Sequence, residues 1–168
     1  MTPAGEHAAV GARAQPYAVV WAGLFGSHQS AGYPMPFQLY LFVALGGALG
    51  TFGRFAVSGL VATSFGETFP WGTLIVNVVG SFIIGFFGTL TAPDGRLFVG
   101  GTTRQFVMTG FCGGFTTFSS FSLQTMNLIN DGEWLYAGGN IAGSVTLCLI
   151  SVWLGSISAA AINQLKGA

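Results

Sequence analysis

Four stretches of this chain are long enough to cross a bilayer while carrying at most one charge. A hydrocarbon core of about 30 Å takes about 20 apolar residues as a helix, and every backbone polar group within it must find its partner inside the protein. The first stretch is charge-free from Phe37 to Gly53 and continues past Arg54 to about Ala62. The second, Pro70 to Ala92, lies between two turn-like sequences, Gly66-Glu67-Thr68-Phe69 and Pro93-Asp94-Gly95-Arg96. The third, Gln105 to Asn130, would reach roughly 39 Å as one unbroken helix, more than a span needs, so it can absorb a break. The fourth, Trp134 to Leu165, follows the turn Asn130-Asp131-Gly132 and ends just before Lys166. An all-α integral membrane protein with four transmembrane helices is expected. Composition agrees, with 51% hydrophobic and 6% charged residues over 168 positions and a mean hydropathy of +0.66.

The few charges exclude several classes of function. Arg13, Arg54, Arg96, Arg104 and Lys166 are the only basic residues, too few and too scattered for a nucleic-acid surface. Cys112 and Cys148 lie in apolar stretches without CxxC spacing or a nearby His, and read as small core residues. Residues 1–34 differ in kind from the rest, and their only apolar run, Tyr17 to Phe25, is too short to span. They read as a poorly ordered N-terminal extension, or as sequence upstream of a true start at Met35, with the transmembrane domain occupying residues 35–168. Arg13, Arg96, Arg104 and Lys166 fall on one side of a four-span topology, which favours both termini inside.

The third stretch is unusual in the middle. Gly110-Phe111-Cys112-Gly113-Gly114-Phe115-Thr116-Thr117-Phe118-Ser119-Ser120-Phe121-Ser122 joins two adjacent glycines, which weaken a helix, to hydroxyl side chains that can partner backbone groups leaving the helical ladder. Two half-helices with a break at membrane depth are therefore expected. Such a break belongs inside protein or along a cavity, where backbone dipoles can serve an ion or solute.

Polar residues line up elsewhere. Thr73, Asn77 and Ser81 are spaced by four and form one stripe on helix two. The stripe reads equally as interhelical packing, worth about 1 kcal/mol per bond, and as a ligand surface. Asn140, Ser144 and Cys148 repeat the spacing on helix four, and Ser151, Gly155 and Ser158 roughly continue that face. Gly46, Gly50 and Gly53 on helix one form a small-residue seam for close helix packing. Phe118 and Phe121 are three apart, so two rings can project on the same side just past the break, and their electropositive edges suit an anion.

The spans hold no Asp, Glu, Lys or His, and Arg54 near an end is their only basic residue. Proton-coupled transport usually needs an intramembrane carboxylate or His, and hydrolysis needs an activated nucleophile, so no enzyme activity is expected. Amide N–H groups, hydroxyls and aromatic edges remain. They suit a small anion that must shed water and still leave again. Arg54 can raise the local anion concentration in a vestibule, or simply snorkel to the interface.

From about Leu41 to Leu154 the chain resembles the Fluc (CrcB) fluoride ion channels. The resemblance rests on Gly46-Gly47-Ala48-Leu49-Gly50 with Arg54, on Gly72-Thr73-Leu74-Ile75-Val76-Asn77-Val78-Val79-Gly80-Ser81-Phe82, and on the Gly110 to Ser122 segment. It implies an antiparallel, dual-topology homodimer in the plasma membrane, with two fluoride pores lined by both subunits and a Na⁺ at the dimer centre. By position, Phe118 and Phe121 correspond to the pore phenylalanines, Asn77 to the fluoride-binding amide, and Gly114 and Thr117 to the backbone carbonyl donors to Na⁺. Ser144 resembles the hydroxyl of the helix-four polar track, and Thr73, in the helix-two stripe with Asn77, is expected to line the pore. Asn140 stands where the family often has Tyr, and Cys148 where a second Ser is common. A paired homologous chain of opposite orientation is an alternative partner. Passive fluoride export follows, since fluoride enters cells as a neutral acid, ionises and leaves down the membrane potential. A small dimeric multidrug transporter would need an intramembrane glutamate that the spans lack, and a non-catalytic scaffold would leave the break without a purpose.

Overall fold

Helix boundaries fall where the apolar runs meet turn residues. The computed structural model describes residues 37–66 and 68–165, and among these all regular structure is helical. In chain order the elements are α1 (Phe37–Phe65), α2 (Trp71–Leu90), α3 (Gly101–Gln105), a π-helical segment (Phe106–Cys112), α4 (Gly113–Phe115), α5 (Phe118–Asn130) and α6 (Trp134–Gln164). Of these, α1, α2 and α6 are each long and apolar enough to cross a membrane. The fourth crossing expected from the sequence is divided among α3, the π segment, α4 and α5. The proposed extension and start, residues 1–34 and Met35, lie outside the described residues, as does Lys166.

Pro70 precedes α2, a position where its missing N–H is harmless. Gly132 ends α5 with φ +80, a left-handed conformation that lets Gly132 N donate to the Ile129 carbonyl at 3.0 Å and Glu133 N to the Leu128 carbonyl at 2.8 Å. This paired closure satisfies carbonyls that the last turn would otherwise leave open.

The glycine seam of α1 faces its own chain. A methyl group on Gly50 would collide with the Phe111 carbonyl oxygen and lie 2.8 Å from Phe115 N, and one on Gly110 would sit 2.8 Å from the Val43 carbonyl oxygen. Backbone therefore meets backbone between α1 and the π segment, which only glycine on both sides allows. A second close approach joins α2 and α6, where Gly155 packs against the Phe82 carbonyl and Gly85 against the Val152 carbonyl. Hydroxyls and amides reinforce this contact: Ser151 donates to the Val78 carbonyl at 2.8 Å, and Asn163 donates to the Thr89 carbonyl at 3.1 Å while accepting from Arg96 N at 2.8 Å. Arg104 reaches back from α3 to donate to the Gly88 and Thr91 carbonyls, placing a cation at the negative end of the α2 dipole.

The outer surface is apolar. Leu41, Phe52, Phe55, Leu60, Leu149 and Trp153 are exposed, whereas Val76, Ala159 and the amide of Asn140 are almost wholly enclosed. This inversion of the soluble pattern suits a chain surrounded by lipid tails.

Candidate functional site

Between α4 and α5 the backbone becomes extended for two residues, with Thr116 at φ −87, ψ 158 and Thr117 at φ −153, ψ 111. Opening a helix strands carbonyls before the gap and N–H groups after it. Side chains take up part of the loss. Thr116 donates its hydroxyl to the Cys112 carbonyl at 2.9 Å, and Thr117 caps α5 by accepting from Ser120 N at 3.2 Å. Asn77 on α2 does more. Its Nδ2 donates to the Thr117 carbonyl at 3.1 Å and its Oδ1 accepts from Thr117 N at 2.7 Å. A primary amide carries the same donor and acceptor as a peptide group, so Asn77 pairs with Thr117 as a neighbouring strand residue would. One turn further along α2, Gly80 leaves space for the Thr116 methyl group.

A cavity of about 430 Å³ opens beside this joint. Five of the residues expected to line a pore do so: Asn77, Phe118, Phe121, Ser144 and Cys148. Thr117 also contributes, and the joint adds Gly80, Ser81, Cys112 and Thr116 to the wall. The two rings differ. Phe118 is 77% exposed and Phe121 only 9%, with ring centroids 5.2 Å apart and planes tilted by 48°. Phe121 thus forms packed wall, and Phe118 offers a free ring at the mouth of α5.

Other residues singled out from the sequence lie off the cavity wall. Thr73 is buried a turn before Asn77. Gly114 packs its α-carbon side against Gly47 of α1. Arg54 is half-buried on α1, without a hydrogen bond or ion pair to another described residue. Asn140 is 1% exposed and sits behind the cavity, donating from Nδ2 to Thr125 Oγ1 at 2.8 Å and accepting from Ser144 Oγ at 3.3 Å. Thr125 is the residue that sequence reasoning missed. It lies four positions past Phe121 on α5, but nothing in a single sequence says which hydroxyl faces which amide across two helices.

The carbonyls around the break are hard oxygen donors at the negative end of a short helix, a chemistry that fits an alkali cation. Thr117 differs from these, since as the N-cap of α5 its carbonyl accepts the helix's first backbone bond as well as the bond from Asn77.

Residues 41–156 match the family described as CrcB-like protein, Camphor Resistance (CrcB). The chain belongs to the CrcB-like family. Among its relatives, a protein of Opitutus terrae is 72% identical over 130 residues, covering 77% of this chain and 98% of its own. Proteins of Methylocella silvestris and Rhodospirillum rubrum are 61% and 58% identical, covering 77% and 74% of this chain and 98% and 97% of their own lengths. Each of the three is named a fluoride-specific ion channel. The matched CrcB-like region runs from most of α1 through most of α6, and contains the break and its cavity.

Proposed function

We propose that this chain is a fluoride-selective ion channel that lets cytoplasmic fluoride leave passively across the plasma membrane. The observation that carries the reading is the set of fluoride-specific channels that match nearly their full length at 58% to 72% identity, together with a family match that spans the residues building the cavity. A channel belongs to no enzyme class, and the spans supply no group for catalysis.

The chemistry of the cavity supports anion passage. Asn77 keeps one N–H beyond that given to Thr117, the Ser144 hydroxyl lines the wall, and the exposed Phe118 ring presents a positive edge. None of these carries a formal charge, so an anion is held without being trapped. The break lies within the membrane on this reading, because Asn77 stands about 9 Å along α2 at 1.5 Å per residue.

The assembly is an antiparallel dimer in which each pore draws on both subunits, or a pair of homologous chains in opposite orientation. The Gly114 and Thr117 carbonyls of the break would hold a sodium ion, which would supply fixed positive charge between the pores. Thr73, Asn140 and Arg54 act from outside the cavity wall, Arg54 by drawing anions to a vestibule.

Purified protein in K⁺-loaded liposomes, opened electrically with valinomycin, tests the reading. Rapid fluoride release without chloride release is the expected result. Folded protein that releases neither ion from any vesicle, alone or with a homologous partner chain, would overturn it.

A further inference from the structure

Thr125 sets the direction of the chain of hydrogen bonds that runs from α5 through Asn140 to Ser144 of α6. Its hydroxyl donates to the Phe121 carbonyl at 2.7 Å, one turn back on its own helix, so its oxygen is left to accept. Asn140 must then present Nδ2, not Oδ1, to Thr125, since two acceptors facing each other would repel. That turns Oδ1 toward Ser144, whose hydroxyl must donate. Thr125, Asn140 and Ser144 are 6%, 1% and 7% exposed, so water does not readily rearrange the chain of bonds. Of the three, only Ser144 lines the cavity.

We infer that Thr125 is a positioning residue for the channel: by fixing the amide of Asn140 it points the Ser144 proton away from the cavity and leaves oxygen lone pairs facing the ion path. This rests on the fluoride-channel reading above. A passing anion is bound by Ser144 only when the hydroxyl rotates out, which its long 3.3 Å bond to Asn140 permits, and rotation strips Asn140 Oδ1 of its donor. Each binding event at Ser144 therefore opposes itself. The anion is held weakly and released quickly.

Thr125→Val keeps the shape of the side chain and removes its polarity. Asn140 Nδ2 then loses its acceptor, and because a buried orphan N–H is less well tolerated than an orphan carbonyl, the amide turns over and donates to Ser144. The Ser144 proton becomes free to face the cavity. The test is the fluoride-concentration dependence of conductance in planar bilayers for wild type, Thr125→Val, Thr125→Ser, Asn140→Ala and Ser144→Ala, with gel filtration to establish folding. Thr125→Val is expected to lower the half-saturating fluoride concentration about fivefold, the change equivalent to one neutral hydrogen bond, and to reduce the maximal current. Thr125→Ser restores both, and adding Ser144→Ala abolishes the shift.

A wild-type concentration dependence in Thr125→Val, or a loss of current with half-saturation unchanged, overturns the inference while leaving the channel reading intact. If Thr125→Val does not fold, Asn140→Ala decides, since it also frees the Ser144 proton and must tighten fluoride binding. Folded wild-type protein that carries no fluoride current, alone or with a homologous partner chain, overturns the channel reading instead.

Discussion

The glycine seams and the helix break both bring backbone close to a neighbour, but they satisfy it differently. Along α1 and the π segment, and between α2 and α6, the helices remain closed and glycine lets their surfaces touch. At Thr116 and Thr117 the helix is open, and Asn77 stands in for the missing peptide partner. A closed helix uses its hydrogen bonds on itself and has little left to offer a ligand. The opened one hands pairing to side chains that retain a spare N–H, lone pair or hydroxyl, and the cavity forms beside them. Close packing makes the frame, and incomplete pairing makes the site.

The sharpest way to break this contrast is to fill the seam. Gly50→Val drives a branched side chain into the Phe111 carbonyl and is expected to cost about 3 kcal/mol or more, with little folded protein recovered. A monodisperse variant with wild-type thermal stability would show that the seam can part.

Asn77→Asp attacks the break instead. It deletes the donor to the Thr117 carbonyl and sets a carboxylate against it, at a cost of about 2 kcal/mol, and fluoride flux should disappear. If flux and thermal stability both stay normal, Asn77 does not hold the joint.

The ring pair separates stability from conduction within the site. Phe121→Ile removes packed wall and is expected to cost about 1 kcal/mol, whereas Phe118→Ile, at an exposed position, should leave stability nearly unchanged. Both should stop fluoride flux in liposomes. Normal flux in the two variants would remove the aromatic edges from the mechanism.

Ser151→Ala is the mildest change. It loses one bond across the α2–α6 contact, worth about 0.6 kcal/mol, and should lower the unfolding temperature slightly with flux unaltered. A large loss of flux would mean that this face of α6 belongs to the site as well as to the frame.

Much of this was legible in the sequence. The charge-free run from Pro70 to Ala92 predicted α2, observed as Trp71–Leu90, because both turns around it are marked by Pro, Gly and charge. Phe118, Phe121, Asn77, Ser144 and Cys148 were named from local motifs and converge on one cavity. The spacing of Asn140 with Ser144 predicts a place on the pore, yet its amide meets Thr125 behind the cavity wall. Helical periodicity fixes a residue's face only to within the width of a side chain, and the register of α5 against α6 decided the rest. The π-helical turn Phe106–Cys112 was illegible for a related reason, since its wider winding accompanies packing against Gly46 and Gly50, distant in sequence.

By itself, then, the sequence determined that the chain is helical and enters a membrane, and where its helical runs weaken, because hydropathy, charge and glycine act locally along the backbone. Only the tertiary structure decided that Asn77 pairs with Thr117 and that Thr125, through Asn140, governs Ser144. Hydrogen bonds have direction and reach about 3 Å, so their partners depend on how helices from distant parts of the chain are set against one another.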